Sequence, residues 1–196
     1  VKQLEVQLGG WAAQGFSAVK MKIGREPQRD SERIRKARKV IGELIELFVD
    51  ANGAFSPKQA LKQAFNFQQY EVSWFEEPVS SDDLKGLRFI RKHGYPAMRI
   101  AAGEYGYITD CFVKMLEKSS VDVLQADATR CGGLTGFMKA GHLSEAFHTP
   151  FSFHCAPAVH LHAALCLNPF YIGEYFHDHA RIENLFFECV PQPVNG

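Results

Sequence analysis

Six ionisable residues recur along the chain, each closing a short apolar run: Asp50, Glu76, Glu104, Asp127, His154 and Glu174. The runs are Leu47 to Asp50, Val72 to Glu76, Arg99 to Glu104, Val121 to Asp127, Phe151 to His154 and Tyr171 to Glu174. Each is short and rich in β-branched or aromatic residues, the pattern of a strand buried on both faces. Asp50, Glu76 and Glu104 close three successive strands. Neighbouring strands lie about 5 Å apart, so three carboxylates at matched ends can face one point. Crowded at low dielectric they repel and resist ionisation. A hard divalent cation relieves that repulsion, and Mg²⁺ suits an all-oxygen donor set. One such acid alone reads as a surface salt bridge; three at matched positions read as metal ligands.

A seventh run, Phe16 to Ile23, carries Lys20 and Lys22. Residues two apart on a strand share a face, so both ammonium groups point inward while Val19, Met21 and Ile23 point to the helices. Adjacent charge and burial lower each lysine's pKa, which makes a general base near neutral pH; a solvated charged edge, or salt bridges to the strand-end acids, is the alternative. Lys22 also has a rival role, the Schiff-base amine of a barrel aldolase. Asp127 and His154 end adjacent strands, so the carboxylate can fix the imidazole tautomer, raise its pKa and create a second acid/base group. Glu174 is placed to hydrogen-bond substrate or to accept backbone N–H groups. His177 belongs to a His-Asp-His loop expected to line the pocket. Cys155, beside His154, is the thiol to watch as a nucleophile, although a buried inert cysteine is the commoner case. Gly132-Gly133-Leu134-Thr135-Gly136 lacks a following Gly-Lys-Ser/Thr and reads as a tight turn into a helix.

The elements that must position these groups alternate. Helices are expected over Asp30 to Leu44, from Ser56-Pro57 onward, and over Asp82 to His93, Tyr107 to Lys118, Leu134 to Phe147 and Ala158 to Leu167. Met21, Phe65, Phe67 and Phe89 are expected in the core. Alternating strands and helices mean parallel βα units, in an open doubly wound sheet or a barrel. One ionisable group per strand end favours the barrel, whose strand C-termini converge on a single face.

The 196 residues suit one domain or a piece of a larger one. With 46% hydrophobic and 22% charged residues the chain is not disordered. The 22 basic residues balance the 22 acidic ones, which argues against binding nucleic acid or a membrane surface through bulk charge. No run of roughly 18 apolar residues suggests a membrane span. Five widely spaced cysteines without a CxxC pair suggest free thiols in a reducing, cytoplasmic setting.

Lys20-x-Lys22, Val49-Asp50-Ala51-Asn52, Trp74-Phe75-Glu76-Glu77-Pro78, Gly103-Glu104, Gln125-Ala126-Asp127, His154 and Gly173-Glu174 together resemble the enolase superfamily, mandelate racemase subgroup. The resemblance implies an α/β fold, a TIM-like (β/α)₇β barrel over residues 1–190 with a tail at 191–196. It also implies that the chain starts after the family's N-terminal capping domain and first barrel strand. Asp50, Glu76 and Glu104 would bind Mg²⁺, which holds a substrate carboxylate. Lys22 would remove the neighbouring proton to give an enolate-like intermediate, tuned by Lys20. His154, paired with Asp127, would act on the opposite face. Glu174 would hydrogen-bond the enolate oxygen, and Asn52 would contact substrate or metal. The family's lactonising and dipeptide-epimerase branches carry a lysine where this chain has Asp127, which disfavours them. The expected substrate is a small carboxylate, an acid sugar or 2-hydroxy acid, and a homo-oligomer is compatible with the family. Acid-sugar dehydration is the first reading and racemisation by the same two bases the second. A Schiff-base aldolase and a non-catalytic, truncated barrel are the alternatives of other classes.

Overall fold

A computed structural model describes residues 2–195; Val1 and Gly196, the outer ends of the expected domain and tail, lie outside the described residues. The chain folds as two compact units, Val1–Ile100 with Pro193–Gly196, and Ala101–Gln192.

The first unit begins with helix α1 (Lys2–Ala13) and continues as β1 (Ala18–Lys22), α2 (Pro27–Ile41), β2 (Glu46–Asp50), α3 (Pro57–Gln68), β3 (Val72–Glu76) and α4 (Leu84–His93). β1, β2 and β3 pair in parallel in that order. Their register sets the site. Lys20, Phe48 and Trp74 stand opposite one another, and so do Lys22, Asp50 and Glu76 one layer further on. Phe48 stacks on Trp74 at 5.0 Å, filling the layer beneath the carboxylates. The other face of the strands carries Val19, Met21, Leu47, Val49 and Phe75, all buried, and edge contacts join Phe75 to Phe67 on α3 and to Phe55. Burial on both faces is what a parallel sheet clad by helices requires.

β4 (Arg99–Ala102) lies at the boundary between the units. The second unit continues with α5 (Thr109–Glu117), β5 (Val123–Ala126), α6 (Gly133–Ala146), β6 (Phe151–Phe153), α7 (Pro157–Ala164), β7 (Phe170–Gly173) and α8 (His177–Phe186). β4 to β7 again pair in parallel and in chain order. Phe153 is held between the rings of His160 and Phe170, both stacked on it, while Phe137 closes on Phe151. Gly173 admits the Phe153 ring, since a methyl there would lie 2.1 Å from it.

These are the repeated parallel βα units of a TIM-like α/β barrel, with seven strands among the described residues. No helix among them is long and apolar enough to cross a membrane. Three local expectations are corrected. The second helix starts at Pro27 and stops at Ile41, because Gly42 takes a positive φ; Leu44 falls outside it and is 97% exposed. Phe65 and Phe89 occupy outer helix faces and are partly exposed, whereas Met21 and Phe67 are core. His177 and its neighbours open helix α8 rather than forming a loop.

Candidate active site

In the first unit, three strand ends bring two lysines to two buried carboxylates. Lys20 Nζ donates to both Glu76 oxygens, at 2.8 and 2.7 Å, and Trp74 Nε1 donates to Glu76 Oε2 at 3.0 Å. Lys22 pairs with Asp50. The second Asp50 oxygen accepts the backbone N–H of Asn52 at 2.8 Å. Asn52 is exposed and sits at φ 44°, and Glu77, just beyond Glu76, sits at φ 38°. Left-handed backbone at non-glycine residues costs energy and clusters at functional sites. Burial lowers the Lys22 pKa and Lys20 lowers it further, but Asp50, with its hydrogen bond, outweighs both. The net shift is upward, the reverse of the depression expected from two adjacent lysines, because the nearest charge to Lys22 is an acid.

In the second unit, Asp127 is the hub. Its Oδ2 lies 2.8 Å from His154 Nδ1, and its Oδ1 accepts from Thr129 N and Oγ1 at 2.8 and 2.7 Å. Burial pushes the Asp127 carboxyl up, yet the bonds from His154 and Thr129 prevail and hold it far below the usual carboxylate range. As an anion it keeps the His154 proton on Nδ1, which leaves the Nε2 lone pair free for chemistry. Around Nε2 stand Cys155 Sγ at 3.1 Å, Glu104 Oε2 at 3.2 Å and Glu174 Oε2 at 3.9 Å. Arg130 Nη1 donates to the Glu104 carbonyl at 3.0 Å and lies 3.5 Å from its carboxylate, with Arg130 Nε 3.7 Å from Asp127. Glu174 Oε2 accepts the Cys155 N–H at 3.0 Å. A positive φ at Gly103 turns the chain so that Glu104 follows β4 directly.

Several of these partners had no local signal in the sequence. Arg130 ties Glu104 to Asp127 across two βα units. His160 is fully buried. Its Nε2 accepts the Ala128 N–H at 2.7 Å, so its proton sits on Nδ1 and donates to the Cys155 and Ala156 carbonyls. It thereby fixes the turn that presents His154. His177 is half-exposed beside Asp178, whereas the His179 ring lies 6.5 Å from that of His154. Only the helical phase of α8 selects the second histidine.

Asp50, Glu76 and Glu104 are all buried. Glu104 Oε2 is buried without a hydrogen-bond donor unless His154, whose Nε2 lies 3.2 Å away, is protonated; a cation, a ligand or that imidazolium must serve it. Buried carboxylate oxygens of this kind are the donors a hard divalent ion takes.

Parallel βα units that present carboxylates, lysines and a carboxylate-oriented imidazole at their strand ends follow the TIM-barrel pattern, in which functional groups gather at the C-terminal ends of the strands. The chain belongs to the Enolase C-terminal domain-like family, whose model matches residues 3–196. It is 28% identical over 183 residues to an arabinonate dehydratase of Saccharolobus solfataricus, covering 90% of this chain and 48% of the relative. A 3,6-anhydro-alpha-L-galactonate cycloisomerase of Streptomyces coelicolor is 32% identical, with 83% and 45% covered. A hydrophobic dipeptide epimerase of Enterococcus faecalis is 30% identical, with 67% and 36% covered. Dehydratases, cycloisomerases and epimerases thus all stand among the relatives, epimerases included despite Asp127. A mandelate racemase/muconate lactonizing enzyme-like protein from Rubrobacter xylanophilus superposes with TM-score 0.95 at 49% identity, over all of this chain and 54% of that one. A racemase from Streptomyces coelicolor, solved with bound magnesium, gives 0.83 at 28%, over 90% and 50%. The chain spans about half the length of the curated relatives it matches first.

Proposed function

We propose that this chain supplies the catalytic groups of an enzyme that removes the proton α to a small-molecule carboxylate, and that the reaction is dehydration of an acid sugar to a 2-keto-3-deoxy acid. The observation that carries the reading is the buried Asp127–His154 pair, whose Nε2 faces Glu104 and Glu174. Asp50, Glu76 and Glu104 are the proposed Mg²⁺ ligands, on the strength of their strand-end order, their burial and the unpartnered Glu104 oxygen. The magnesium bound in the related racemase supports that choice of ion. When bound, Mg²⁺ supplies positive charge against the substrate carboxylate, in place of the lysines at Asp50 and Glu76.

Lys22, released from Asp50, takes the α-proton, and Lys20 adds positive charge for the dianion that forms. In this reading Glu174 hydrogen-bonds the enolate oxygen and Asn52 contacts substrate, while His179, whose ring lies 6.5 Å from that of His154, takes the role expected of the half-exposed His177. Protonated His154 gives its Nε2 proton to the 3-hydroxyl, which leaves as water while the C–O bond breaks. The resulting enol becomes the 2-keto acid. Returned instead to the α-carbon, the same proton yields racemisation or epimerisation, the second reading, which the relatives include. Paired with Asp50, Lys22 has a raised pKa, and a base or an imine alike needs the neutral amine, so either role requires its release from that carboxylate.

The test is a 2-keto-acid assay over a panel of acid sugars, with and without Mg²⁺. It is run on this chain and on one extended by the segments its relatives carry beyond the match. Mg²⁺-dependent keto acid is the expected result. Silence from the extended chain, together with α-proton exchange in D₂O, moves the assignment to racemisation; silence in both assays rejects the reading. Lys22→Ala and His154→Asn should each lower turnover by about 10²–10⁴ while Mg²⁺ still binds, and two fully active variants would overturn the two-base scheme. Glu76→Gln should weaken Mg²⁺ binding; unchanged affinity removes Glu76 from the metal set.

A further inference from the structure

The thiol of Cys155 has no part in that chemistry, yet it is buried against two of its groups. Cys155 Sγ lies 3.1 Å from His154 Nε2 and 3.3 Å from Glu174 Oε2, and those two atoms are 3.9 Å apart. An imidazole nitrogen, a thiol sulfur and a carboxylate oxygen therefore cap one small volume within the second unit. Donors bound tetrahedrally to one zinc-sized ion stand roughly 3.3–3.6 Å from each other, given metal–ligand lengths of about 2.0–2.3 Å. The observed spacings need to change by about half an ångström or less.

We propose that His154 Nε2, Cys155 Sγ and Glu174 Oε2 form a binding site for a thiophilic divalent ion of the zinc type, separate from the all-carboxylate Mg²⁺ set. Three further features suit such an ion. Asp127 holds His154 Nδ1–H at 2.8 Å, the carboxylate–histidine pairing that orients metal-bound imidazoles. The buried Glu104 Oε2 stands 3.2 Å from the same Nε2 and adds negative charge beside the ion. The left-handed backbone at Cys155 and Ala156 lets consecutive residues present both a nitrogen and a sulfur. A thiolate prefers zinc or cobalt to magnesium, so the two sites separate ions by softness. An ion here takes the Nε2 lone pair, and so inhibits. That inhibition rests on the proposed role of His154; the binding does not.

The test therefore reads binding alone. The 196-residue chain is titrated with Co²⁺ in excess Mg²⁺, and the near-ultraviolet sulfur-to-cobalt charge-transfer absorption is followed, with Zn²⁺ displacement to finish. The expected result is a one-to-one absorption lost in Cys155→Ser, with Co²⁺ affinity weakened about tenfold or more in Asp127→Asn through loss of imidazole orientation. Circular dichroism of each variant must match the parent; if Cys155→Ser does not fold, Glu174→Gln, which must weaken Co²⁺ binding, replaces it. Absence of the band, or a band that survives Cys155→Ser because another of the five thiols supplies it, overturns the site.

Discussion

Asp127 does two jobs at the scale of single residues: it sets the His154 tautomer and anchors the turn after β5 through Thr129. Asp127→Ala leaves the buried His154 Nδ1–H without its acceptor, at about 1–3 kcal/mol, and equilibrium urea unfolding should show the loss. The pH dependence has a definite sign. Because the folded-state pKa lies far below the usual range, the Asp127 contribution is complete above the unfolded carboxylate value of about 3.9. It fades as pH falls toward the folded value. The stability gap between parent and variant should therefore stay constant from neutral pH to about 5 and narrow in stronger acid; a gap that widens in acid contradicts the assignment. The types and strand-end places of Asp127 and His154 were readable from sequence. The contacts of Arg130 with Glu104 and of His160 with the turn after β5 were not, because they depend on how separate βα units pack.

At the scale of elements, strand ends and the turns after them decide where the chemistry sits. β4 ends at Ala102, and Gly103 at φ 138° passes so close to β5 that a methyl would lie 2.0 Å from the Gln125 carbonyl oxygen. Gly103→Ala should lower the urea midpoint and displace Glu104, read as weakened Mg²⁺ binding; a variant with parent-like stability and affinity would show the close approach to be unimportant. Helix α4 offers a cleaner test. Asp83 accepts the Gly86 N–H at 2.9 Å as its N-cap, so Asp83→Ala should cost about 1 kcal/mol and leave metal binding unchanged. Strands were legible to within a few residues because each apolar run is bounded by turn residues. Helix α8 was missed because its exposed Leu185 and Phe186 give no clean apolar face.

At the scale of the whole molecule, burial sorts the five cysteines. Cys166 and Cys189 are exposed, Cys111 is half-buried, and Cys131 and Cys155 are buried. Burial also raises the Cys131 pKa, so that thiol stays protonated and inert. A charged thiol reagent should modify Cys166 and Cys189 quickly and reach Cys131 and Cys155 only on unfolding, as mass spectrometry of timed aliquots would show. Rapid labelling of Cys155 in the native chain would contradict its burial against His154 and Glu174.

The order of the elements, the α/β class, the inward face of Lys20 and Lys22 and the strand-end acids were determined by the sequence alone. Strand period, apolar runs and turn residues are local properties that a linear reading registers. Tertiary structure alone decided the charge environment. Lys22 was expected to lose proton affinity beside Lys20, and it gains affinity because β1 and β2 pair in a register that sets it against Asp50. In the same way, a thiol that looked like inert core meets an imidazole and a carboxylate only because β6 and β7 pair and the backbone turns left-handed after His154. Electrostatic energies depend on distance in space, and no spacing along the chain encodes that distance.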